Sequence, residues 1–214
     1  MRLELGASVR CEGDVLGELA DVVIDPTTKR VTHLVVQPHH EHGLARLVPI
    51  DLAQEGDGQE ISLGCTVEEV RQLAPVHEFA YLRVGEFPVD DPDWDVGVQD
   101  LLAMPYYEPG FDLGSQGADA GIIYDRVPKG EVEVRRASAV TSADGHHLGH
   151  VDGFVVDGEQ ITHLVLERGH LWGRREITLP IGAVEKVETD AVTLGLSKDE
   201  VGGLASVPVR RWRE

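Results

Sequence analysis

Apolar residues in this chain occur in short runs that are separated by polar turn residues. Typical runs are Leu34–Val36 and Phe154–Val156, and they are rich in Val, Ile and Leu, of which the branched Val and Ile favour strands. Gly, Pro and Asp separate the runs at spacings of about ten residues, which is typical of successive short strands. The spacing that marks an amphipathic helix is mostly absent. The pattern therefore predicts a β-rich protein.

The order of these runs occurs twice along the chain. Leu16–Asp25 aligns with Leu148–Asp157. Four further blocks follow in the same order: Val31–Val36 with Ile161–Leu166, Val48–Ile50 with Leu179–Ile181, Ile61–Leu63 with Val192–Leu194, and Thr66–Val70 with Ser197–Val201. The sequence thus predicts a duplicated unit. We place one unit in residues 1–76, a connecting segment in residues 77–130 and the second unit in residues 131–214.

Turn and bend signals recur in both copies. Gly13–Asp14 and Asp144–Gly145 lie between the first two predicted strands of each copy, where a tight hairpin needs residues that adopt positive φ. Gly17 and Gly149 occupy the same place inside the next strand, where a missing side chain permits a bulge or a sharp bend. Such bends are of the kind that small barrels use, so the two glycines predict a curved sheet.

Each copy ends on a helix signal. Thr66 with Glu69 and Ser197 with Glu200 both spell S/T-x-x-E, the capping box in which the two side chains satisfy free amides of the first helical turn. A short helix is therefore expected to follow each barrel.

The third strand of each copy is apolar on both faces. Counting by two, Val31 shares a face with His33 and Val35, while Leu34 shares the other face with Thr32 and Val36. One face would fill the barrel. We expect the other to pack against the partner unit or the connecting segment, which would make the two units one rigid body.

These residues resemble the PRC-barrel domains. The resemblance rests on the Leu-Gly strands that end in Asp (Leu16–Asp25 and Leu148–Asp157), on the Thr-His-Leu-Val strand that follows each, and on the later Val/Leu-Pro-Ile. It implies two small, strongly bent antiparallel β-barrels in an all-β protein. It also implies a non-enzymatic adaptor that holds protein partners, with no catalytic residues to carry over. The family includes the cytoplasmic domain of the photosynthetic reaction-centre H subunit and a ribosome-maturation factor.

The connecting segment is acidic and rich in aromatic residues. Its aromatic side chains include Trp94, Tyr106, Tyr107, Phe111 and Tyr124. A short helix is expected from Asp95 to Met104, ended by Pro105. Since large aromatic side chains are seldom left in water, one interpretation is that the segment covers the barrels. The alternative is a segment that recognises a partner or orders on binding.

Charge, cysteine content and hydropathy indicate which partners and which cellular location to expect. A formal net charge of −19 repels phosphate backbones, so nucleic-acid binding is not expected. Cys11 and Cys65 are too few for a disulfide framework and are expected to be core or strand-end residues, with a redox pair or a thiolate ligand as the alternative. Met1–Glu4 lacks the apolar core of a secretory signal, and the apolar runs are too short for a membrane helix. We therefore expect a cytoplasmic protein.

One basic, aromatic segment stands out from the acidic background. Trp172, Arg174 and Arg175 lie in a loop after the third strand of the second copy, and the first copy has no such residues there. Trp and Arg are enriched at interaction hot spots. We assign Trp172, Arg174 and Arg175 to partner binding, together with Tyr106 and Tyr107. The alternative is that Trp172 folds onto its own barrel while the arginines pair with nearby acids.

Histidines form two loop clusters: His39, His40 and His42, and His146, His147 and His150. Dense imidazoles can hold zinc, copper or nickel. Because the clusters do not match between the copies and no cysteine pair accompanies them, solvated turns are the preferred interpretation. His33 and His163 do match, and we interpret them as structural, with a pH-sensitive interface as the alternative.

The catalytic motifs GxSxG, P-loop and GxGxxG are absent from the sequence. The sequence therefore predicts a non-enzymatic scaffold or adaptor for another protein, without a cofactor or metal. Two alternatives stay open: an RNA-processing or ribosome-assembly accessory factor, and a small-molecule or metal binder that uses the loop histidines. Weak self-association through a barrel edge is a further expectation.

Overall fold

This computed structural model describes most of the chain. The backbone is described for residues 1–39, 45–56, 59–83, 94–98, 119–168, 175–204 and 206–208. Backbone alone is described for residues 77–83, 94–98, 119–126, 168, 175 and 206–208. We refer to residues 1–76 as the N-terminal region and to residues 131–214 as the C-terminal region.

The described residues form mainly β-strands. The N-terminal region contains β1 (Arg2–Glu4), β2 (Ser8–Cys11), β3 (Asp14–Asp25), β4 (Arg30–Pro38), β5 (Arg46–Pro49), β6 (Ala53–Glu55), β7 (Ile61–Leu63) and helix α1 (Val67–Gln72). Three strands follow: β8 (His77–Arg83), β9 (Trp94–Val98) and β10 (Asp119–Pro128). The C-terminal region contains β11 (Val132–Arg135), β12 (Ala139–Thr141), β13 (His147–Asp157), β14 (Gln160–Arg168), β15 (Arg175–Pro180), β16 (Val184–Glu188), β17 (Ala191–Leu194), α2 (Lys198–Gly202) and β18 (Ser206–Pro208). Single 3-10 turns lie at Ile50–Leu52 and Ile181–Ala183.

Among the described residues, fifteen strands belong to one curled sheet. Its main path runs β6-β7-β2-β3-β4-β14-β13-β12-β17-β16. The pairings in the C-terminal region follow the same order as those in the N-terminal region, and the parallel pair β2 and β7 corresponds to the parallel pair β12 and β17. Counted inward from either end of this path, the strands therefore follow in equivalent order. Strands β4 and β14 pair with each other at the middle of the path.

The predicted bends are present, and a tight turn joins β2 to β3, although its residues are Glu12–Gly13 rather than Gly13–Asp14, because Asp14 begins β3. Asp144–Gly145 lie in a longer connection between β12 and β13. The turn between β2 and β3 consists of Glu12 and Gly13, both with positive φ, as a two-residue hairpin of this kind requires. Val9 pairs with Gly17 and Arg10 with Val15, so Leu16 is the extra residue of a β-bulge, and Leu148 is the extra residue beside Gly149. A Cβ at Gly17 would lie 2.0 Å from the Gln37 carbonyl oxygen. The bend confirms the prediction from the two glycines.

A second bulge corrects the expected faces of β4. Val23 pairs with His33 but Ile24 pairs with Val31, so Thr32 is an extra residue. Because the bulge interrupts the two-residue alternation, Val31 joins Leu34 and Val36 in the main buried cluster rather than sharing a face with Val35. The prediction that Val31 lies beside Val35 is wrong. Thr162 occupies the same bulged position in β14.

The first strand of each region pairs with the other region. Strand β1 pairs with β13, with Leu3 opposite Phe154. Strand β11 pairs with β3, with Val134 opposite Val22. Leu3 and Val134 are fully buried, and one apolar cluster contains residues of both regions. The two regions therefore share a hydrophobic core.

The outer face of β3 and β4 is also covered. Val23 and Val35 form a second buried cluster with Ala45, Leu47 and Val76. Val127, at the end of the predicted connecting segment, packs against this cluster. Part of the cover expected for the second face thus comes from that segment.

The described part of the connecting segment is a small antiparallel sheet in the order β8-β10-β9. Residues 95–98 belong to β9, where Asp95 pairs with Val127 and Val98 pairs with Tyr124. The expected helix from Asp95 is therefore wrong over these residues. Alternating Val96 and Val98 favour a strand that has a partner, and the helical pattern depended on residues further along, which lie outside the described part of the chain.

Both predicted capping boxes are present. Glu69 N–H donates to the Thr66 hydroxyl at 3.2 Å, and the Thr66 amide donates to the Glu69 carboxylate at 2.7 Å. Ser197 and Glu200 make the same pair of bonds at the start of α2. Both helices are short, and within the part of the chain that the structure describes no helix could span a membrane.

Candidate functional site

The residues assigned to partner binding lie largely outside the described residues. Trp172 and Arg174 fall outside the described residues, which resume at Arg175, where the backbone pairs with Arg168. Of Arg175, only the backbone is described, and it also pairs with Pro208 of β18. Tyr106 and Tyr107 fall outside the described ranges. The assignment of these five residues stays a prediction.

The junction between the two regions is built from matching backbone bonds. Val31 N–H donates to the Glu159 carbonyl at 2.9 Å, and Ile161 N–H donates to the Lys29 carbonyl at 3.2 Å. Val31 and Ile161 are equivalent positions of the two sequence copies, so the bonds are reciprocal. The Gln160 side-chain amide also donates to the Lys29 carbonyl, at 3.1 Å. This junction joins the two β-hairpin turns.

Lys29 adds a side-chain contact to the junction. The backbone φ of Lys29 is 55°, an uncommon value for a residue other than Gly, Asn or Asp. The ammonium donates to the Val184 carbonyl of β16. The turn of the N-terminal region therefore reaches an edge strand of the C-terminal region. A contact between residues so distant in sequence has no local signal, and sequence reasoning missed Lys29.

Charged residues flank the exchanged strands. Arg2 of β1 binds Glu176 of β15 at 2.7 Å and lies 3.7 Å from Glu4. In β11 the acidic residue comes first along the strand, and Arg135 binds Glu133 at 2.9 Å. The Glu133 side chain is only 2% exposed. A buried charge depends on its partner, so Glu133 relies on Arg135 of the same strand, while the Arg2–Glu176 pair joins β1 to β15.

His33 belongs to a polar group at the Thr32 bulge. The Thr32 hydroxyl donates to the Glu131 carboxylate at 2.5 Å and lies 3.1 Å from His33 Nδ1. His33 Nδ1 also lies 3.8 Å from the Glu131 carboxylate. Burial lowers the pKa of His33, while the charges of Glu131 and Asp51 act in the opposite direction. Partial burial therefore disfavours the charged form of the ring.

His163 is held in the same way in the C-terminal region. The Thr162 hydroxyl donates to the Val155 carbonyl at 3.0 Å, and His163 Nδ1 lies 3.1 Å from that hydroxyl. A bulge leaves a strand carbonyl without its ladder partner, and the threonine supplies a donor. These contacts support the structural interpretation of both matched histidines.

The two cysteines lie close together. Cys11 is buried, and its thiol donates to the Cys65 carbonyl at 2.6 Å. Burial raises the pKa of Cys11 to about 11 and also raises the pKa of Cys65. The thiolate is the reactive form, so both groups are poor nucleophiles. This favours the structural interpretation over a redox pair.

The second histidine cluster is within the described residues. The rings of His147 and His150 are 5.0 Å apart between centroids and are inclined at 65°. His146 Nε2 lies 3.7 Å from the Asp144 carboxylate in the preceding turn. Of the first cluster, His39 is exposed, whereas His40 and His42 fall outside the described residues. The sequence alone did not show that two of these imidazoles share one face of a strand.

We compared the chain with known proteins. No family model matches the sequence, and no curated protein matches it.

Proposed function

We propose that the chain is a non-enzymatic adaptor made of two PRC-barrel-like units, which presents a rigid surface to another protein in the cytoplasm. The observation that carries the proposal is the repeated architecture. The strand order, the bulges at Leu16 and Leu148, the bulges at Thr32 and Thr162 and the two capping boxes recur at equivalent positions. This agreement supports a duplicated unit, and the resemblance carried by the same residues supports the family.

Rigidity is the physical basis of the adaptor role. Each region lends its first strand to the other, so separation would expose Leu3 and Val134, which are fully buried. The junction bonds of Val31 and Ile161 would also be lost. Because ordering entropy is one of the costs of association, a preorganised surface binds with a smaller penalty. The two units would therefore present their loops in one fixed arrangement.

The loop after β14 is the proposed contact surface. Trp172 and Arg174 of this loop, and Arg175 at the start of β15, are residue types that supply buried anchors and bidentate hydrogen bonds at interfaces. The two arginines are positively charged residues in a chain whose formal net charge is −19. A partner that offers an acidic, apolar-lined surface suits this composition. Tyr106 and Tyr107 are the second proposed contact.

Affinity capture with the full chain tests the proposal. The bait would be compared with the Trp172→Ala/Arg174→Ala/Arg175→Ala variant, in parallel captures with and without nuclease treatment. The control is Lys186→Ala/Lys198→Ala, which removes exposed cations elsewhere on the C-terminal region. We expect one protein to be retained in stoichiometric amount by the parent chain and the control and to be lost with the triple variant.

Two results would count against the proposal. Retention of RNA that disappears with nuclease, together with salt-dependent binding, would favour the accessory factor in RNA processing. Retention of no protein at native concentration would contradict an adaptor. If a partner binds the triple variant as well as the parent, the contact surface is wrongly assigned.

A further inference from the structure

A β-bulge places two imidazoles on the same exposed face of β13. Thr141 pairs with His147 and Val140 pairs with Gly149, so Leu148 is the extra residue. In a regular strand, residues 147 and 150 would point to opposite faces, because side chains alternate. Here Leu148 is buried while His147 and His150 are both exposed. Their ring centroids are 5.0 Å apart.

The backbone of β13 between the two histidines is held in place by its neighbouring strands. Gly149 has a φ of 153°, and a Cβ at this position would lie 2.2 Å from the Glu167 carbonyl oxygen of β14. The close approach of β13 and β14 thus requires glycine between the two histidines. His150 pairs in the ladder with Glu167 and Ala139, so both neighbouring strands hold the bulge in place.

We propose that His147 and His150 form a binding site for a divalent transition metal ion, with the two imidazole nitrogens as protein ligands and water at the other positions. Neutral imidazole is a ligand for copper, nickel and zinc. The rings are inclined at 65°, and rotation of the exposed side chains brings one nitrogen of each toward a shared ion. The chain's formal charge of −19 attracts cations.

The site holds two protein ligands rather than three or more. Among the described residues, no group of three or more His, Cys, Asp or Glu side chains is arranged to hold a metal ion. A closed structural zinc site, which uses four protein ligands, is therefore not what these residues build. Open positions filled by water make the ion exchangeable, and copper should bind most tightly by the Irving–Williams order.

The N-terminal region supplies a matched control. Its equivalent bulge at Leu16 carries Val15 and Glu18 in the places of His147 and His150. The same backbone therefore accommodates a Val and a Glu without disturbing the fold. The His147→Val/His150→Gln variant follows this arrangement, with an amide in place of a carboxylate that could itself bind metal and would face Glu167.

Titration of the tag-free full chain with Cu²⁺, Ni²⁺ and Zn²⁺ tests the proposal. The parent chain should bind one Cu²⁺ at this site, with copper hyperfine spectra showing two nitrogen ligands. Its melting temperature should rise by roughly 5–10 °C when free metal exceeds the dissociation constant about a hundredfold. The double variant should lose this site, with an affinity at least about tenfold weaker. The His39→Gln variant should behave like the parent chain.

Two outcomes would overturn the proposal. One is unchanged affinity and unchanged nitrogen coupling in the double variant, which would place the metal at other histidines. The other is the absence of saturable binding by the parent chain, which would leave the rings as a simple edge-to-face pair. Circular dichroism of the metal-free proteins would check that the double variant is folded, so that a loss of binding can be attributed to the imidazoles.

Discussion

The backbone N–H of Val31 donates to the carbonyl of Glu159 at 2.9 Å, and this bond has a reciprocal counterpart between Ile161 and Lys29. Together they join the turns of two hairpins that are distant in sequence. Because the first strands β1 and β11 are also exchanged between the regions, the two regions are connected at three places. We therefore expect them to unfold together.

Substitution of Gly153 should disrupt one of the exchanged strands. A Cβ at this position would lie 2.1 Å from the Leu3 carbonyl oxygen of β1, and a backbone atom cannot move aside cheaply. Gly153→Ala should lower the free energy of unfolding by about 2–3 kcal/mol, as other overpacked sites do. Urea denaturation measures this. Gly182→Ala, where a Cβ meets open space, should leave stability within about 0.5 kcal/mol. Equal effects of the two substitutions would contradict the close approach.

The hydroxyl of Thr162 should stabilise the bulge in β14. It donates to the Val155 carbonyl at 3.0 Å. Thr162→Val keeps the shape of the side chain and removes the donor, so it should cost about 1 kcal/mol. Thr162→Ser retains the hydroxyl and should recover most of that loss. If the Val and Ser variants have the same denaturation midpoint, the hydrogen bond does not contribute to stability.

His33 should make stability depend on pH. Burial lowers its pKa in the folded protein, with Glu131 and Asp51 acting against this. The folded protein therefore binds this proton less readily than the unfolded chain. The contribution is present above about pH 6.5, the pKa of the unfolded group, and is lost as the pH falls through the lower folded value.

An NMR titration of the His33 ring protons measures this shift. The midpoint should lie below about 6.5, and the His33→Gln variant should lose less stability than the parent chain when the pH is lowered through this interval. A midpoint above that value would mean that attraction to Glu131 outweighs burial.

The thiols should react slowly in the folded protein. Burial raises the pKa of Cys11 to about 11 from an ordinary value of 9.0, which reduces the thiolate about a hundredfold at neutral to mildly basic pH. In the Cys65→Ser variant, the remaining Cys11 should react with a disulfide reagent at least about a hundredfold more slowly in the folded protein than in the protein unfolded in urea. Equal rates in folded and unfolded protein would show that Cys11 is accessible and unperturbed.

Local signals in the sequence predicted the parts of the fold that local chemistry determines. Gly17 and Gly149 marked the bulges because only glycine tolerates the carbonyl contact at these positions. Thr66 and Ser197 marked the helix starts because capping is completed within one turn. The capping boxes involve residues that are near each other in the chain, and the glycines mark positions where the backbone must bend.

Features that depend on distant pairing were not predictable in the same way. The bulge at Thr32 was missed because nothing in Val-Thr-His shows where the partner strand shifts register. The exchange of β1 and β11 was missed because three or four residues carry no information about which strand they will join. The contact of Glu131 with Thr32 depends on that same exchange.

Native-state hydrogen exchange by NMR tests most directly whether the two regions form one cooperative structure. The amides of Val31 and Ile161 cross the junction, and the amide of Leu5 donates to the Asp152 carbonyl at 2.8 Å beside the β1–β13 pairing. Our account predicts that they exchange only through global unfolding, with protection equal to that of core amides such as Leu34 and Leu164. Exchange of the junction amides as fast as exposed loop amides, while the core amides stay protected, would contradict it.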